Sequence, residues 1–413
     1  MTTIPLLRDK SIVIGVTGGI SAYKVADLCS RFVKAGAVVD IVMTASATKF
    51  VGPITFQALT HRPVSTEMFS LLQETEIGHV SLGKRADLMI IAPATANTMA
   101  KLAHGLSDNM VVTTALACRS PILIAPAMES AMWENPATQT NLDVLKKRGV
   151  HTVGPVEGRL ASGSMGVGRM SEPQDIFDAA RWLISRQRTL NGTRVVVTAG
   201  CTHEALDPVR FIGNRSSGKM GYALAYAARD RGADVVLIHG PTSLNVPHGV
   251  KDVSVNSAKQ MHTAVLKNIS TADALIKTAA VTDYRPATFS KHKIKKNQES
   301  MSLKLVQNPD ILASVVSKRK KSDPLKVVIG FAAETESLVE YAQDKLIRKG
   351  LDLIVANDIS ASDSGFAVDT NRVTLIDSSG ELQSLPLLTK QEVAEIVIDH
   401  LIDILESKSH ASF

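Results

Sequence analysis

The chain opens twice in the same way: an apolar run, a glycine-containing turn, a helical stretch, then a second apolar run. Ser11-Ile-Val-Ile-Gly-Val16 is apolar without alternation, the pattern of a strand buried on both faces. Thr17-Gly-Gly-Ile-Ser21 follows as the turn. Ala22 to Ala35 then sets Val25, Leu28, Cys29 and Phe32 at helical spacing, and Gly36 stops the helix before a strand from Val38 to Met43. Asp87 to Ala92 and Pro121 to Ala125 read as further buried strands. In the second half, Thr193 to Thr198 is a strand and Ala199-Gly-Cys-Thr202 its turn. An insertion, Asp207 to Lys219, delays the helix, which runs from near Gly221 to Arg231 and is capped by Gly232. Ala233 to His239, Ala274 to Ala280, Lys326 to Ala332 and Leu351 to Ala356 read as strands. Lys390 to Leu405 places Val393, Ile396, Val397, Leu401 and Leu405 on one stripe, as in a surface helix. This alternation predicts two α/β domains with parallel sheets, residues 1–186 and 192–413, joined by a polar linker at 187–191.

Composition narrows the function classes. Hydrophobic residues make up 45% and charged residues 21%, which excludes disorder as the overall state. The net charge of +6 suits small anionic ligands and does not demand nucleic acid, and 4% aromatic residues argue against base-stacking platforms. Cys29, Cys118 and Cys201 form no CxxC pair, so neither a structural zinc site nor a disulfide framework is expected. MTTIPLLRDK is too short and polar for a signal peptide, and no apolar run approaches the ~20 residues of a membrane span. A cytoplasmic protein is the expectation.

The Thr17–Ser21 turn precedes a helix N-terminus, where free amides and the helix dipole favour a phosphate. Thr17 and Ser21 add hydroxyls; a plain tight turn describes these residues as well. The next strand ends in Thr44-Ala-Ser46. The third ends in Ala92-Pro-Ala-Thr95-Ala-Asn97-Thr98. Ligands of open α/β sheets bind at such carboxyl ends, and small residues there let a flat ring approach the backbone. The last segment is equally a helix entry with Asn97 or Thr95 as N-cap. Lys291-His-Lys-Ile-Lys-Lys296 is too charged for a core and reads as a solvated loop. Lys345 and Lys349, four apart on one helix face, repel each other and would welcome an anion between them. Asp283, after a strand end, could accept from a base or ribose hydroxyl, or hold Mg²⁺.

Gly15-x-Thr-Gly-Gly-Ile-Ser21, Pro93-Ala-Thr-Ala-Asn-Thr98, Gly105-Leu-Ser-Asp-Asn109, Pro126-Ala-Met128 and Gly166-x-Gly-Arg-Met170 occur in this order. Together they resemble the homo-oligomeric flavin-containing cysteine decarboxylases, a flavodoxin-like family that binds FMN. In the second half, Asp207-Pro-Val-Arg210 through Ser216-Ser-Gly-Lys-Met-Gly221 is similar to phosphopantothenate–cysteine ligases. So are Ala279-Ala-Val-x-Asp-Tyr-Arg-Pro286, Lys293-Ile-Lys-Lys296, Asn308-Pro-Asp-Ile311 and Gly330-Phe-Ala-Ala-Glu-Thr335. Their order resembles the fused bacterial coenzyme A enzymes, nearly from end to end.

The resemblance implies two reactions. CTP activates 4′-phosphopantothenate as an acyl-cytidylate, cysteine displaces CMP, and an FMN-dependent decarboxylation then yields 4′-phosphopantetheine. It implies FMN contacts from Thr17, Gly18, Gly19, Ile20, Ser21, Thr44, Ser46, Thr95, Ala96, Asn97, Thr98 and Asp108. His79, opening His-Val-Ser-Leu82, would be the active-site base. CTP contacts would come from Lys277, Thr278, Ala279, Asp283, Pro309, Asp310, Ile311, Leu312, Phe331, Lys345 and Lys349, with Asp283 as the candidate Mg²⁺ ligand. Lys293 would close a flap onto the phosphates and Asn214 would hold the acyl intermediate; Lys219 reads either as a phosphate ligand or as a helix-entry lysine. A homo-oligomer, a dodecamer, is implied, with small-molecule substrates and neither nucleic acid nor membrane as partner.

Cys201, His203 and Ala205 depart from the family's usual glycine, arginine and proline. Two departures bear on chemistry. Glu129 stands where the family has the asparagine that contacts the substrate carboxylate, and Ser162 where the flap cysteine supplies a proton. A serine hydroxyl is a far weaker acid than a thiol. One expectation is that Glu129, kept protonated by burial, replaces that donor. Others are a ligase with an impaired flavin half, or a flavin half serving as a binding or regulatory module.

Overall fold

The computed structural model describes residues 6–68, 78–185, 188–295, 301–319, 324–334, 337–358 and 368–410. Arg186 and Gln187 of the expected boundary and linker, Lys296 of the charged run and Thr335 of the last motif lie outside the described residues. The chain forms two compact units, Met1–Ser185 and Arg186–Phe413.

In the first unit β1 (Ser11–Val16), β2 (Val38–Met43), β3 (Val64–Ser65), β4 (Leu88–Ala94), β5 (Ile122–Pro126) and β6 (His151–Thr152) make one parallel sheet in the order β3-β2-β1-β4-β5-β6. β3 is a two-residue edge; without it the order is that of the flavodoxin-like fold. The unbroken apolar run of β1 has a direct cause. Ile12, Ile14 and Val16 join a core beneath Leu28 and Phe32, while Val13 faces the opposite core with Met89, Ile91 and Val111. Burying such side chains stabilises the fold by roughly 1.5–3 kcal/mol each. The sheet order reverses between β1 and β4, and the carboxyl ends of these strands open a crevice there.

Two antiparallel strands, β7 (Val156–Arg159) and β8 (Met165–Arg169), form a hairpin that the apolar pattern does not announce. Gly168 is where it meets the loop after β5: a Cβ at that position would stand 2.2 Å from the Met128 carbonyl oxygen.

The second unit holds an eight-stranded sheet. Its parallel strands lie in the order Lys251–Ser254, Asp234–His239, Arg194–Ala199, Ala274–Lys277, Val327–Glu334 and Leu353–Asp358. Val373–Asp377 and Leu382–Ser384 finish it in antiparallel pairing. Val195 and Val197 enter one core and Val196 the other, as in β1. The strand expected to reach Ala280 ends at Lys277, because Ala279 and Ala280 turn to bond Thr198 Oγ1 and the Gly200 carbonyl.

Two expectations change. The helix Lys390–His410 is not merely superficial: Val393, Ala394, Val397, Ile398 and Leu401 are buried in the core beside the helix Lys219–Asp230. Leu190, assigned to the linker, is 2% exposed, and its N–H donates to the Arg231 carbonyl at 2.8 Å; an apolar side chain in a polar stretch has found the second core.

Candidate active sites

The first unit carries a cavity of about 1170 Å³ at the carboxyl ends of β1, β2 and β4. Every residue of the expected FMN set lines it except Thr17. Thr17 is 1% exposed, and its hydroxyl donates to the Pro93 carbonyl at 2.6 Å, so it ties the turn to β4. Gly18 is required by close approach: a Cβ there would lie 2.4 Å from Ser46 Cβ. Ser21 Oγ is buried with no hydrogen-bond partner, at the start of a helical segment whose first amides lack intrahelical acceptors. Thr95 is the N-cap, accepting from the Thr98 amide at 3.3 Å.

The cavity also takes in charged residues absent from the expected set. Glu172 pairs with Lys24 at 2.9 Å and with Arg169. The Lys24 hydrogen bond holds Glu172 below the usual carboxylate range. Asp108 pairs with Lys101 at 2.5 Å and is lowered for the same reason. Arg159 lines the cavity as well. The motif Gly166-x-Gly-Arg-Met170 contained the signal for Arg169; Arg159 lies on an exposed hairpin strand with no local pattern.

Glu129 and Ser162 meet. Ser162 Oγ donates to Glu129 Oε2 at 2.8 Å, Ser164 Oγ donates to Oε1 at 3.0 Å, and the two hydroxyls lie 2.9 Å apart. Glu129 lines the cavity mouth but is only half-buried, so the expected burial is not found. Each of its oxygens lies within hydrogen-bond reach of a serine hydroxyl. His79, in the first turn of the helix Gly78–Arg85, lies outside the cavity lining, with Nδ1 buried and without a partner.

The second unit has a cavity of about 440 Å³ at the ends of Arg194–Ala199, Ala274–Lys277 and Val327–Glu334. Asn214, Lys277, Thr278, Ala279, Asp283, Phe331 and Lys345 line it, as expected. Burial first, then the charge of Lys345, pushes the Lys277 ammonium down to about 8. Lys345 Nζ donates to the Phe331 carbonyl at 3.0 Å, and Asn214 Nδ2 to that of Val281 at 3.2 Å. Lys219 is the first residue of its helix, lines the cavity and bonds Asp369 at 2.6 Å, so both readings describe it. Lys390 was missed: burial and Lys219 push its ammonium down, and only the fold brings the C-terminal helix to this wall.

Lys293, Pro309, Asp310, Ile311, Leu312 and Lys349 do not line this cavity. Ile311 and Leu312 are apolar and point into the core at 3% and 4% exposure. Asp310 caps its helix through the Ala313 amide at 2.9 Å and pairs with Lys349. Lys293 is exposed, next to Ile294, whose backbone is held by Asp207 and Arg210. Among the described residues no group of three or more His, Cys, Asp or Glu could hold a metal ion, and no helix is long and apolar enough to cross a membrane.

Fold and cavities define a flavodoxin-type flavoprotein unit followed by a second α/β unit with a cation-lined cleft. The Flavoprotein family profile matches residues 5–185, and that of the DNA/pantothenate metabolism flavoprotein C-terminal domain matches residues 190–405. The coenzyme A biosynthesis bifunctional protein CoaBC of Vibrio cholerae is 45% identical over 398 residues, 96% of this chain and 98% of that protein. Its Bacillus subtilis counterpart is 44% identical over 399 residues, 96% and 97% of the two chains. A crystal structure of the C-terminal domain of a CoaBC protein is 42% identical, covers 54% of this chain and all of that one, and has a TM-score of 0.46. The chain belongs to the family of coenzyme A biosynthesis bifunctional proteins.

Proposed function

We propose that the chain carries out two steps of coenzyme A biosynthesis, with the second unit as phosphopantothenate–cysteine ligase and the first as phosphopantothenoylcysteine decarboxylase. The observation that carries this reading is the gathering of Lys219, Lys277 and Lys345 with Asn214 and Asp283 in one cleft, on a chain whose other cleft is of flavoprotein type.

In the ligase unit, the lysines neutralise a nucleoside triphosphate, CTP, whose charge grows at the bridging oxygen as pyrophosphate leaves. The carboxylate of 4′-phosphopantothenate attacks the α-phosphorus, giving the acyl-cytidylate. The cysteine amine then attacks the acyl carbon and CMP departs. Asn214 holds the acyl intermediate and Phe331 packs against the base. Asp283 lines the cleft and would be the residue to hold Mg²⁺, which would help neutralise the triphosphate. Lys293 closes over the phosphates from the exposed segment beside Ile294.

The first cleft fits FMN. The unpartnered Ser21 hydroxyl and the first-turn amides would take its phosphate, and Gly18, packed close against Ser46, would leave room for the planar ring. Bound flavin supplies a reversible two-electron oxidation of the cysteinyl end of the substrate, which makes loss of carbon dioxide accessible. His79, which does not line the cavity within one chain, would have to reach the substrate from a neighbouring copy of the homo-oligomer to take up its proton. The protein works in the cytoplasm as a homo-oligomer, a dodecamer.

The test is a mass-spectrometric assay with 4′-phosphopantothenate, cysteine, CTP and Mg²⁺ on flavin-loaded protein. Appearance of 4′-phosphopantetheine supports both assignments. Accumulation of the undecarboxylated conjugate restricts the reading to the ligase, and intact CTP overturns it.

A further inference from the structure

The hairpin β7–β8 borders the flavin-side cavity: Arg159, Leu160 and Ala161 line it, while residues 161–165 face solvent. The tip is a tight turn, with Gly163 N–H bonded to the Leu160 carbonyl at 3.0 Å and Leu160 N–H to the Ser164 carbonyl at 2.9 Å. These bonds shape the turn but do not fix it to the rest of the unit. At the base, the Met128 N–H donates to the Gly168 carbonyl at 3.0 Å. At the tip, the hydroxyls of Ser162 and Ser164 both reach the carboxylate of Glu129, the residue next to Met128. One short loop after β5 therefore grips both ends of the hairpin.

We propose that Glu129 is a latch, a positioning residue that holds the flap shut over the decarboxylase cavity through Ser162 and Ser164. The substrate it encloses is the acyl-cysteine conjugate, so the proposal rests on the decarboxylase reading given above. It explains why the two departures from the family pattern occur together. A carboxylate offers each serine hydroxyl an acceptor oxygen of its own, whereas an asparagine side chain has one neutral acceptor oxygen and an amide group that can only donate. Hydrogen bonds to a charged acceptor are also the stronger kind. While latched, the Ser162 proton points at Glu129 and is not delivered into the cavity.

Hydrogen exchange measured by mass spectrometry on the full chain tests the latch without requiring turnover. In Glu129→Ala, and in Ser162→Ala/Ser164→Ala, peptides covering 157–169 exchange at least about tenfold faster, while peptides of β4 keep their protection. Glu129→Gln, which retains one acceptor oxygen, falls between. Ser162→Thr keeps the hydroxyl and the protection. Combining Glu129→Ala with the double serine variant adds nothing further, because all three remove the same contact. Unchanged flap exchange in Glu129→Ala overturns the latch whatever the activity. If flap exchange responds while no decarboxylation is seen in any variant, wild type included, the latch stands and the decarboxylase reading falls. If Glu129→Ala leaves flap protection at the wild-type level while Glu129→Gln stops turnover, Glu129 is the proton donor and the latch is refuted.

Discussion

Lys345 sits beside Lys277 on one wall of the ligase-side cavity, and its charge adds to burial in pushing the Lys277 ammonium down to about 8. A lysine in an unfolded chain titrates near ~10.4. Between about 8 and that value the unfolded chain binds more protons than the folded one. Stability of the ligand-free second unit therefore rises with pH through this window, and below it the penalty of the buried charge is present in full. Denaturant unfolding at pH 7.5 and 9.5 on a probe in the second unit should show the rise in wild type and lose it in Lys277→Met. A wild-type stability flat across the window refutes the assignment.

Nucleotide binding should reverse that penalty. A polyphosphate beside Lys277 favours the charged ammonium, so CTP binding takes up a proton near pH 8. Calorimetric binding enthalpies should differ between buffers of different ionisation heat for wild type and converge for Lys277→Met. Identical wild-type enthalpies in all buffers would place the triphosphate elsewhere.

Lys345 and Lys349 should separate in kinetics, although they lie four residues apart. Lys345 lines the cavity, whereas Lys349 bonds Asp310 outside it. Lys345→Ala removes a charged contact of about 1.5–3 kcal/mol and should raise the KM for CTP at least about tenfold. Lys349→Ala should change that KM less than about threefold and lower stability by up to ~1 kcal/mol. Equal effects on KM would restore the shared-anion picture.

Ser21 offers a test with opposite signs in two states. Its Oγ is buried and unpartnered, so Ser21→Ala should leave the flavin-free protein as stable as wild type, or slightly more so. The same change should weaken FMN binding about tenfold, the effect of about 1.4 kcal/mol. Fluorescence titration of FMN into stripped protein, alongside unfolding of both proteins, measures the two. Undiminished FMN affinity would assign the hydroxyl another partner.

The sequence was most legible where burial on both faces leaves a continuous apolar run: β1, β2, β4 and β5 fall within a few residues of their expected bounds. β3 and the β7–β8 hairpin escaped because Val64–Ser65 is too short for a pattern and Val156-Glu-Gly-Arg159 is mostly exposed. The same limit applies at the sites. Gly18 to Ser21 was readable, since a turn between strand and helix has a local cause. The Thr17 hydroxyl was not, because its acceptor, Pro93, lies 76 residues away. At Asp310 to Leu312 the structure shows uses the motif did not announce: Asp310 caps its helix, and Ile311 and Leu312 enter the core. Lys390 reaches the cleft only because its helix packs on Lys219–Asp230.

Among the described residues, the buried side chains of the first unit's cores run from Leu7 to Leu183 and those of the second unit's from Leu190 onward, with none in common. Neither half therefore relies on the other's interior for its own integrity. What the shared backbone fixes is copy number. A ligase made in excess would accumulate an acyl-cysteine intermediate with no enzyme to consume it; translation of one message sets the two catalysts at parity.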